Sequence, residues 1–284
     1  MPRYTLLCAS LLAACLLAAC ASTRSARTAG DVAPLIDAEK AFAAETAAHG
    51  WNAGVRAFAA PDAVVASPLP VNALASLEPS GDAGASPLEW RPAFAGIARS
   101  GDLGFTTGPY FLRGKGYVGH YFTVWRREAG GEWRWIFDGG VNVRDAAPQP
   151  PGANVTELRA ATRGTDAARA LATVRGIEAK LAATARTDVA RALAPWLADA
   201  THLNRASQPR ALGEQAALAT LRSTATAMHY ELIGATASGA GDLVFTQGRA
   251  SWRDGTERVG SFARIWQRTR NGWRIAYDQI VPPR

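Results

Sequence analysis

Cysteine is scarce in this chain, and its placement matters more than its number. The three present, Cys8, Cys15 and Cys20, all stand within the first twenty of 284 residues. Beyond Cys20 there is no thiol, so no disulfide and no thiolate metal site can form there. The four histidines, His49, His120, His202 and His229, show no local metal-ligand spacing. The chain also lacks a Gly-rich phosphate loop, a Gly-x-Ser-x-Gly nucleophile elbow and any close Ser/His/Asp grouping. No cofactor is expected. No apolar run reaches the roughly 20 residues that a membrane-crossing helix needs. Basic residues give a net charge of +7, but they are scattered, with no run of five. That pattern describes a solvated basic surface more than a dedicated polyanion site.

What is present begins at the N-terminus. Arg3 is followed by an almost uncharged Leu/Ala stretch, residues 4–19. This has the length of a signal-peptide core. It ends Leu17-Ala18-Ala19-Cys20, which resembles the bacterial lipobox. The resemblance implies cleavage before Cys20, lipidation of its thiol and a membrane anchor of several acyl chains. Each buried CH2 contributes about 0.8 kcal/mol, so several chains hold where one does not. Residues 1–19 are then a lipoprotein signal and 20–31 the lipidated Cys with its tether. The expected location is the bacterial cell envelope, facing the periplasm. Ala21 follows the cysteine, not an inner-membrane-retaining Asp, which favours the outer membrane. An exported protein meets no nucleic acid, so none is expected as a partner.

The mature chain is organised by a repeat. Gly101-Asp102-Leu103-Gly104-Phe105-Thr106-Thr107-Gly108 returns as Gly241-Asp242-Leu243-Val244-Phe245-Thr246-Gln247-Gly248. Val124-Trp125 is answered by Ile265-Trp266, Trp133-Arg134 by Trp273-Arg274, and Phe137-Asp138 by Tyr277-Asp278. Trp90 and Tyr230 each stand twelve residues before the repeated Asp. Each copy opens in helix: one from an Asp31 N-cap to Gly50, the other from near Thr165. A second short helix ends near Phe58 and near Trp196. Strands follow over 88–98, 102–111, 117–128 and 132–142, then over 228–238, 242–252, 258–269 and 273–281. Gly130-Gly131 and Asn271-Gly272 supply hairpin turns. The Pro-rich segment around Pro148 to Gly152 reads as a linker. The expected domains are therefore 32–145 and 164–284, joined by 146–163.

Helices followed by a curved antiparallel meander that ends in a Gly-Trp-basic strand resemble the nuclear transport factor 2-like, or cystatin-like, fold. The SnoaL-like group is the narrower likeness. The residues that carry it are 101–108, His120 to Arg127 and Gly131 to Asp138, with their counterparts in the second copy. The resemblance implies an α+β chain of two tandem cone-shaped domains, each with N-terminal helices packed on the sheet. It also implies a conical pocket in each and an outer sheet face suited to pairing, so that the copies form an internal pseudo-dimer. Such folds host isomerases, cyclases, hydratases and plain binding modules, so fold alone selects no function.

Strict alternation puts Trp133, Trp135 and Phe137 on one face of the last strand and Arg134, Ile136 and Asp138 on the other. In the second copy it separates Trp273, Ile275 and Tyr277 from Arg274, Ala276 and Asp278. Core packing is the default for the aromatic face. Asp138 is a candidate general base at a pocket mouth, with His120 or Tyr121 assisting. An Asp paired with Arg or a backbone N–H is the plainer alternative. Thr107, Tyr121, Asp138, Gln247, Arg264 and Asp278 are candidate ligand-binding positions. His120, Tyr121 and Thr123 become Ser261, Phe262 and Arg264 in the second copy, so the copies do not share one mechanism. The opening helices carry no Tyr, only carboxylates such as Asp37, Glu39, Glu45 and Glu178, and no Tyr-Asp-Asp set can be assembled. The leading functional expectation is a pocket protein for a small, partly apolar molecule. Cofactor-independent acid–base catalysis in the first copy and an envelope protein–protein interaction module are the alternatives.

Overall fold

The computed structural model describes residues 30–66, 68–78, 81, 84–145, 148–224 and 226–283. Cys20, the signal segment before it, most of the tether and residues 146–147 of the linker lie outside the described residues. Among those described, no helix is long and apolar enough to cross a membrane.

Helix α1 (Ala33–His49) starts where Asp31 accepts the backbone N–H of Ala33, with Val32 as the capping residue and a proline in the first turn. The cap thus falls one residue later than expected. Its buried stripe is Leu35, Ile36, Glu39, Phe42 and Thr46, one face of a 3.6-residue period with a carboxylate in the middle. Helix α2 (Trp51–Phe58) follows at once. Strands β1 (Ala59–Ala66), β2 (Pro70–Asn72), β3 (Leu88–Trp90), β4 (Phe94–Ile97), β5 (Leu103–Leu112), β6 (Gly116–Arg127), β7 (Trp133–Val141) and β8 (Thr156–Glu157) form one sheet in the order β2-β1-β7-β6-β5-β4-β8, with β3 also on β5.

The second half repeats the plan. Asp166 caps α3 (Ala167–Ala185) by accepting the N–H of Arg169 at 2.7 Å. Helix α4 (Val189–Leu193) runs into a 3-10 turn at Ala194–Trp196. Then come β9 (His202–Asn204), β10 (Ala211–Leu212), α5 (Glu214–Ser223), β11 (His229–Ala237), β12 (Leu243–Asp254), β13 (Thr256–Thr269) and β14 (Gly272–Val281), in sheet order β10-β9-β14-β13-β12-β11. The fold is α+β, with helices on two curved sheets in tandem.

Several details depart from the sequence expectation. The run 88–98 is two strands, β3 and β4, parted at Arg91-Pro92, because proline has no N–H to give the ladder. The sheets are not purely antiparallel: β1 pairs β7, β9 pairs β14 and β8 pairs β4 in parallel. The expected linker holds β8, which adds to the first sheet. Strands β1, β2, β9 and β10 and helix α5 had no sequence signal, being short or lacking clean alternation.

The largest correction concerns the last strand of each half. Val124 faces Phe137 while Trp125 faces Trp135, so Ile136 is an extra residue in a β-bulge. Ala276 is the matching extra residue, between Tyr277 opposite Ile265 and Ile275 opposite Trp266. A bulge reverses the alternation beyond it. Trp135 therefore packs under the helices against Phe42, with ring centroids 5.7 Å apart, while Phe137 turns to the other side against Phe245 at 5.2 Å. The faces assigned by strict alternation do not hold, and Asp138 arrives on the helix-covered side with Trp135.

The faces turned away from the helices cover each other. Phe122 stacks on Tyr277 at 4.1 Å and 12°, and His202 on Phe94 at 3.8 Å and 11°. One buried cluster includes Phe105, Phe122, Val124 and Phe137 from the first half and Leu243, Phe245, Ile265 and Tyr277 from the second. The contacts are reciprocal: Phe137 meets Phe245, and their repeat counterparts Tyr277 and Phe105 meet at 6.4 Å.

The repeated Gly-Asp turns show the same reciprocity. Asp102 accepts the N–H of Gly239 at 2.7 Å, and Asp242 accepts the N–H of Arg99 at 3.0 Å. This accounts for most of the repeated motif. Gly101 and Gly241 hold φ of +67° and +57°, a region other residues avoid. Gly108 and Gly248 let a neighbouring carbonyl come within about 2 Å of where a Cβ would stand. Phe105 and Phe245 face the other sheet, while Thr106 and Thr246 face the helices.

Asp242 is buried and also accepts the Ser238 hydroxyl at 2.8 Å, whereas Asp102 is partly exposed. Stripping a buried acceptor from its donors costs about 1–3 kcal/mol. Urea unfolding is expected to show Asp242→Ala losing that amount and Asp102→Ala clearly less; equal losses would place the turns' contribution elsewhere.

Candidate functional site

In each half a glutamate occupies the buried stripe of the long helix. Glu39 accepts Trp125 Nε1 at 2.8 Å, Thr106 Oγ1 at 2.5 Å and Trp90 Nε1 at 2.6 Å. Glu178 accepts the counterparts of the first two, Trp266 Nε1 at 2.8 Å and Thr246 Oγ1 at 2.7 Å. Its third partner differs: Arg264 Nη1 at 2.7 Å. Arg264 stands where the first half has Thr123. It also gives Nε to Asp278 at 2.6 Å, and Arg205 approaches the other oxygen of Asp278 at 2.5 Å. All four members of this second-half cluster are buried.

Two cations, Arg264 in place of Thr123 and Arg205 from the end of β9, separate Asp278 from its counterpart Asp138. Burial opposes the charge of Asp278, but Arg205 and Arg264 outweigh it and hold its pKa below the usual range. Asp138 is half-buried at the cavity wall and has no cation beside it. Its pKa is pushed up to about 7 by desolvation, resisted by the Thr123 hydroxyl, which donates to Oδ2 at 2.8 Å, and reinforced by the nearby Glu39 carboxyl. Burial likewise raises the pKa of Glu39, against its hydrogen bonds.

Beside Asp138 the first half has a cavity of about 890 Å³. Trp51, Trp90, Tyr110 and Tyr121 give it aromatic walls, and Val65, Leu88 and Val71 add aliphatic surface. Its polar lining includes Asp138, Asn142, Ser76 and Glu78. Tyr110 donates its hydroxyl to Asn142. Tyr121 is 6% exposed and its hydroxyl has no hydrogen-bond partner among the described residues. Burial, with the charges of Glu39 and Asp138, raises its pKa well above the phenol value, so it stays protonated. The second half completes the wall with Ala206, Ser207 and Val281 to Pro283. Ser207, at φ 62°, donates its backbone N–H to the carbonyl of Asn142 at 2.8 Å.

Of the candidate residues, Asp138 and Tyr121 meet in this cavity. His120 does not join them. It is next to Tyr121 on β6, so it points to the opposite face, buried and 3.4 Å from Asp145. Burial lowers its pKa to about 4, so it is neutral there at pH 7. Thr107 donates to the backbone carbonyl of Tyr121 and does not line the cavity. Gln247 is buried opposite Gly234 in the second sheet, also away from the cavity. Arg264 and Asp278 are tied up in their own ion pairs. Glu39 had no assigned role, although a glutamate inside an otherwise apolar helix stripe in both copies was a visible signal. Trp51, Asn142 and the second-half wall gave none, because long-range packing brings them in.

No family model matches the chain, and no curated protein matches it. Solved structures do. A nuclear transport factor 2-like protein of unknown function from Pseudomonas putida is 14% identical over 40% of this chain and 87% of its own, with a TM-score of 0.35. A ketosteroid isomerase-like protein from Erwinia carotovora atroseptica is 17% identical over 38% of this chain and 92% of its own, TM-score 0.34. A nuclear transport factor 2-like protein with a cystatin-like fold from Novosphingobium aromaticivorans is 21% identical over 37% and 77%, TM-score 0.31. At these values the likeness assigns no function to this chain.

A carboxyl whose folded pKa exceeds its unfolded one costs stability as pH rises between the two. For Asp138 that window runs from about 4 to about 7, with a ceiling of about 4 kcal/mol above it. Asp138→Asn is therefore expected to match the parent in Tm near pH 4 and exceed it at pH 8; an equal difference at both pH values would mean that Asp138 is already ionised. Removing Arg264 acts on the second half, because it leaves buried Glu178 without a counter-charge and buried Asp278 with Arg205 alone. Arg264→Met is expected to cost about 3–5 kcal/mol in urea unfolding at pH 7, and a loss under 1 kcal/mol would show the cluster to be solvated.

Proposed function

We propose that this chain is a lipid-anchored envelope protein whose first half binds a small, partly apolar molecule in the cavity walled by Trp51, Trp90, Tyr121 and Asp138. The observation that carries the reading is that cavity: large enough for a ligand of drug-like size, walled by aromatic rings, and fitted with one carboxyl and one phenol that nothing in the protein neutralises or bonds fully. On this reading each half is a nuclear transport factor 2-like unit and the two make an internal pseudo-dimer. The reciprocal turn and ring contacts support that pairing. The lipobox at Leu17 to Cys20 supports the anchor and the periplasmic-side location at the outer membrane.

A second reading is acid–base catalysis at the same place. It is favoured by one observation: the pKa of Asp138 sits near neutrality, where a carboxyl can both take and give a proton. Tyr121, held protonated, is the candidate donor among the lining residues, and His120 has no part. An interaction module working through the outer sheet faces is not supported, since those faces cover each other.

Native mass spectrometry of the full chain, extracted from membranes in mild detergent, tests the first reading in two ways. Acyl mass on an N-terminal Cys20 is expected, together with a non-covalent adduct that Trp90→Ala removes. An uncleaved N-terminus overturns the anchor, and the absence of any adduct in gently handled protein overturns the pocket. If a substrate is turned over, Asp138→Asn is expected to lower kcat/KM by about 10²-fold or more; unchanged turnover removes Asp138 as the base.

A further inference from the structure

The second half contains its own answer to what such a cavity holds. Inside it the guanidinium of Arg264 lies between Glu178 at 2.7 Å and Asp278 at 2.6 Å. Three rings surround it, with Cζ 5.3 Å from the centroid of Tyr230, 5.1 Å from Phe262 and 5.8 Å from Trp266. A cation over aromatic faces and between carboxylates is held by both quadrupole and charge. The repeat maps each of these groups onto the first half: Glu39, Asp138, Trp90, Tyr121 and Trp125. The cation alone has no counterpart, since Thr123 stands in for Arg264.

The lining agrees with that comparison. Although the chain carries a net +7, no Lys, Arg or His is among the described residues that line the first-half cavity, while Asp138 and Glu78 are. The Tyr121 phenol, nine-tenths buried and without a hydrogen-bond partner, faces the same space. One difference shapes the site. The Trp90 indole already covers the Glu39 oxygen whose counterpart Arg264 takes, so Asp138 is the carboxyl left open to a ligand, with Glu78 at the exposed rim. We propose that the first-half cavity takes an organic cation, a guanidinium, amidinium or alkylammonium group on a partly apolar body, where the second half places its own arginine. This rests on the pocket reading above and names its ligand class.

Matched probes test it: benzamidinium against benzamide and benzoate, phenylguanidinium against phenylurea, and benzyltrimethylammonium, titrated into the full chain in mild detergent by calorimetry and Trp fluorescence. At pH 8 at least one cation is expected to bind one to one and at least tenfold tighter than its neutral isostere. Lowering the pH to 6, through the range where Asp138 gains its proton beside Glu39 and Tyr121, is expected to weaken it about tenfold. Asp138→Asn should cost at least tenfold as well. Thr123→Arg, which rebuilds the second half's internal cation, should abolish cation binding and raise Tm; should Asp138→Asn fail to fold, this variant decides. A neutral isostere binding as tightly as its cation overturns the proposal while leaving the pocket reading intact. Silence from every probe, whatever its charge, overturns both.

Discussion

Each half of this molecule buries a glutamate on its long helix, and the way that carboxylate is satisfied governs what the half can do. A carboxylate taken from water is costly unless hydrogen bonds or a counter-charge offset the loss. Both halves supply a tryptophan indole and a threonine hydroxyl from the sheet. The second half then adds a cation, Arg264, which lies buried among three rings and pairs a second carboxylate, Asp278. The first half uses a neutral third donor, the Trp90 indole. That choice leaves space unfilled and Asp138 without a cation. The raised pKa of Asp138 thus follows from the absence of both cations that Asp278 has, Arg264 and Arg205, and the Tyr121 hydroxyl is a separate difference, since the second half has Phe262 there.

The order of helices and meander strands, the turns and the two-copy plan were legible in the sequence, because periodicity and the 140-residue spacing report local structure directly. Asp138 and Tyr121 were named as candidates from their residue types, and the fold brings both to one cavity. What misled was the assumption of unbroken alternation in the last strand. One extra residue, Ile136 or Ala276, reverses the sides of everything beyond it, and nothing in Trp-Arg-Trp-Ile-Phe-Asp announces a bulge. His120, Thr107 and Gln247 failed as cavity residues for a related reason: each is polar on the outer face of its strand, where the opposing sheet and backbone carbonyls satisfy or bury it. Polarity in a strand marks a need for a partner, and only the fold decides whether the partner is a ligand.

The cross-half contacts explain why the outer faces are so aromatic. Phe105, Phe122, Phe137, Phe245 and Tyr277 would be a large exposed apolar patch on either sheet alone, and such patches drive association. Each aromatic pair contributes about 0.5–1.5 kcal/mol beyond its buried area. The buried Asp242, reaching the turn of the other sheet, adds direction to that non-directional attraction, since only one register lets Asp242 meet Arg99 while Asp102 meets Gly239.

Register in turn bears on the cavity. Its far wall, Ala206, Ser207 and the Val281 to Pro283 segment, belongs to the second half and holds its place only if the sheets stay aligned. Arg205, one residue before that wall, is paired to Asp278, and Ser207 is bonded to the backbone of Asn142, itself a cavity residue. The second half's ion cluster is therefore tied through the chain to the boundary of the first half's open space. A site works best when its supporting shell is rigid, whereas an unfilled cavity with an uncompensated carboxyl is locally destabilising. The two halves divide these demands: the first holds the cavity, and the second, with Arg264 buried between Glu178 and Asp278, supplies part of the surface against which the cavity is held.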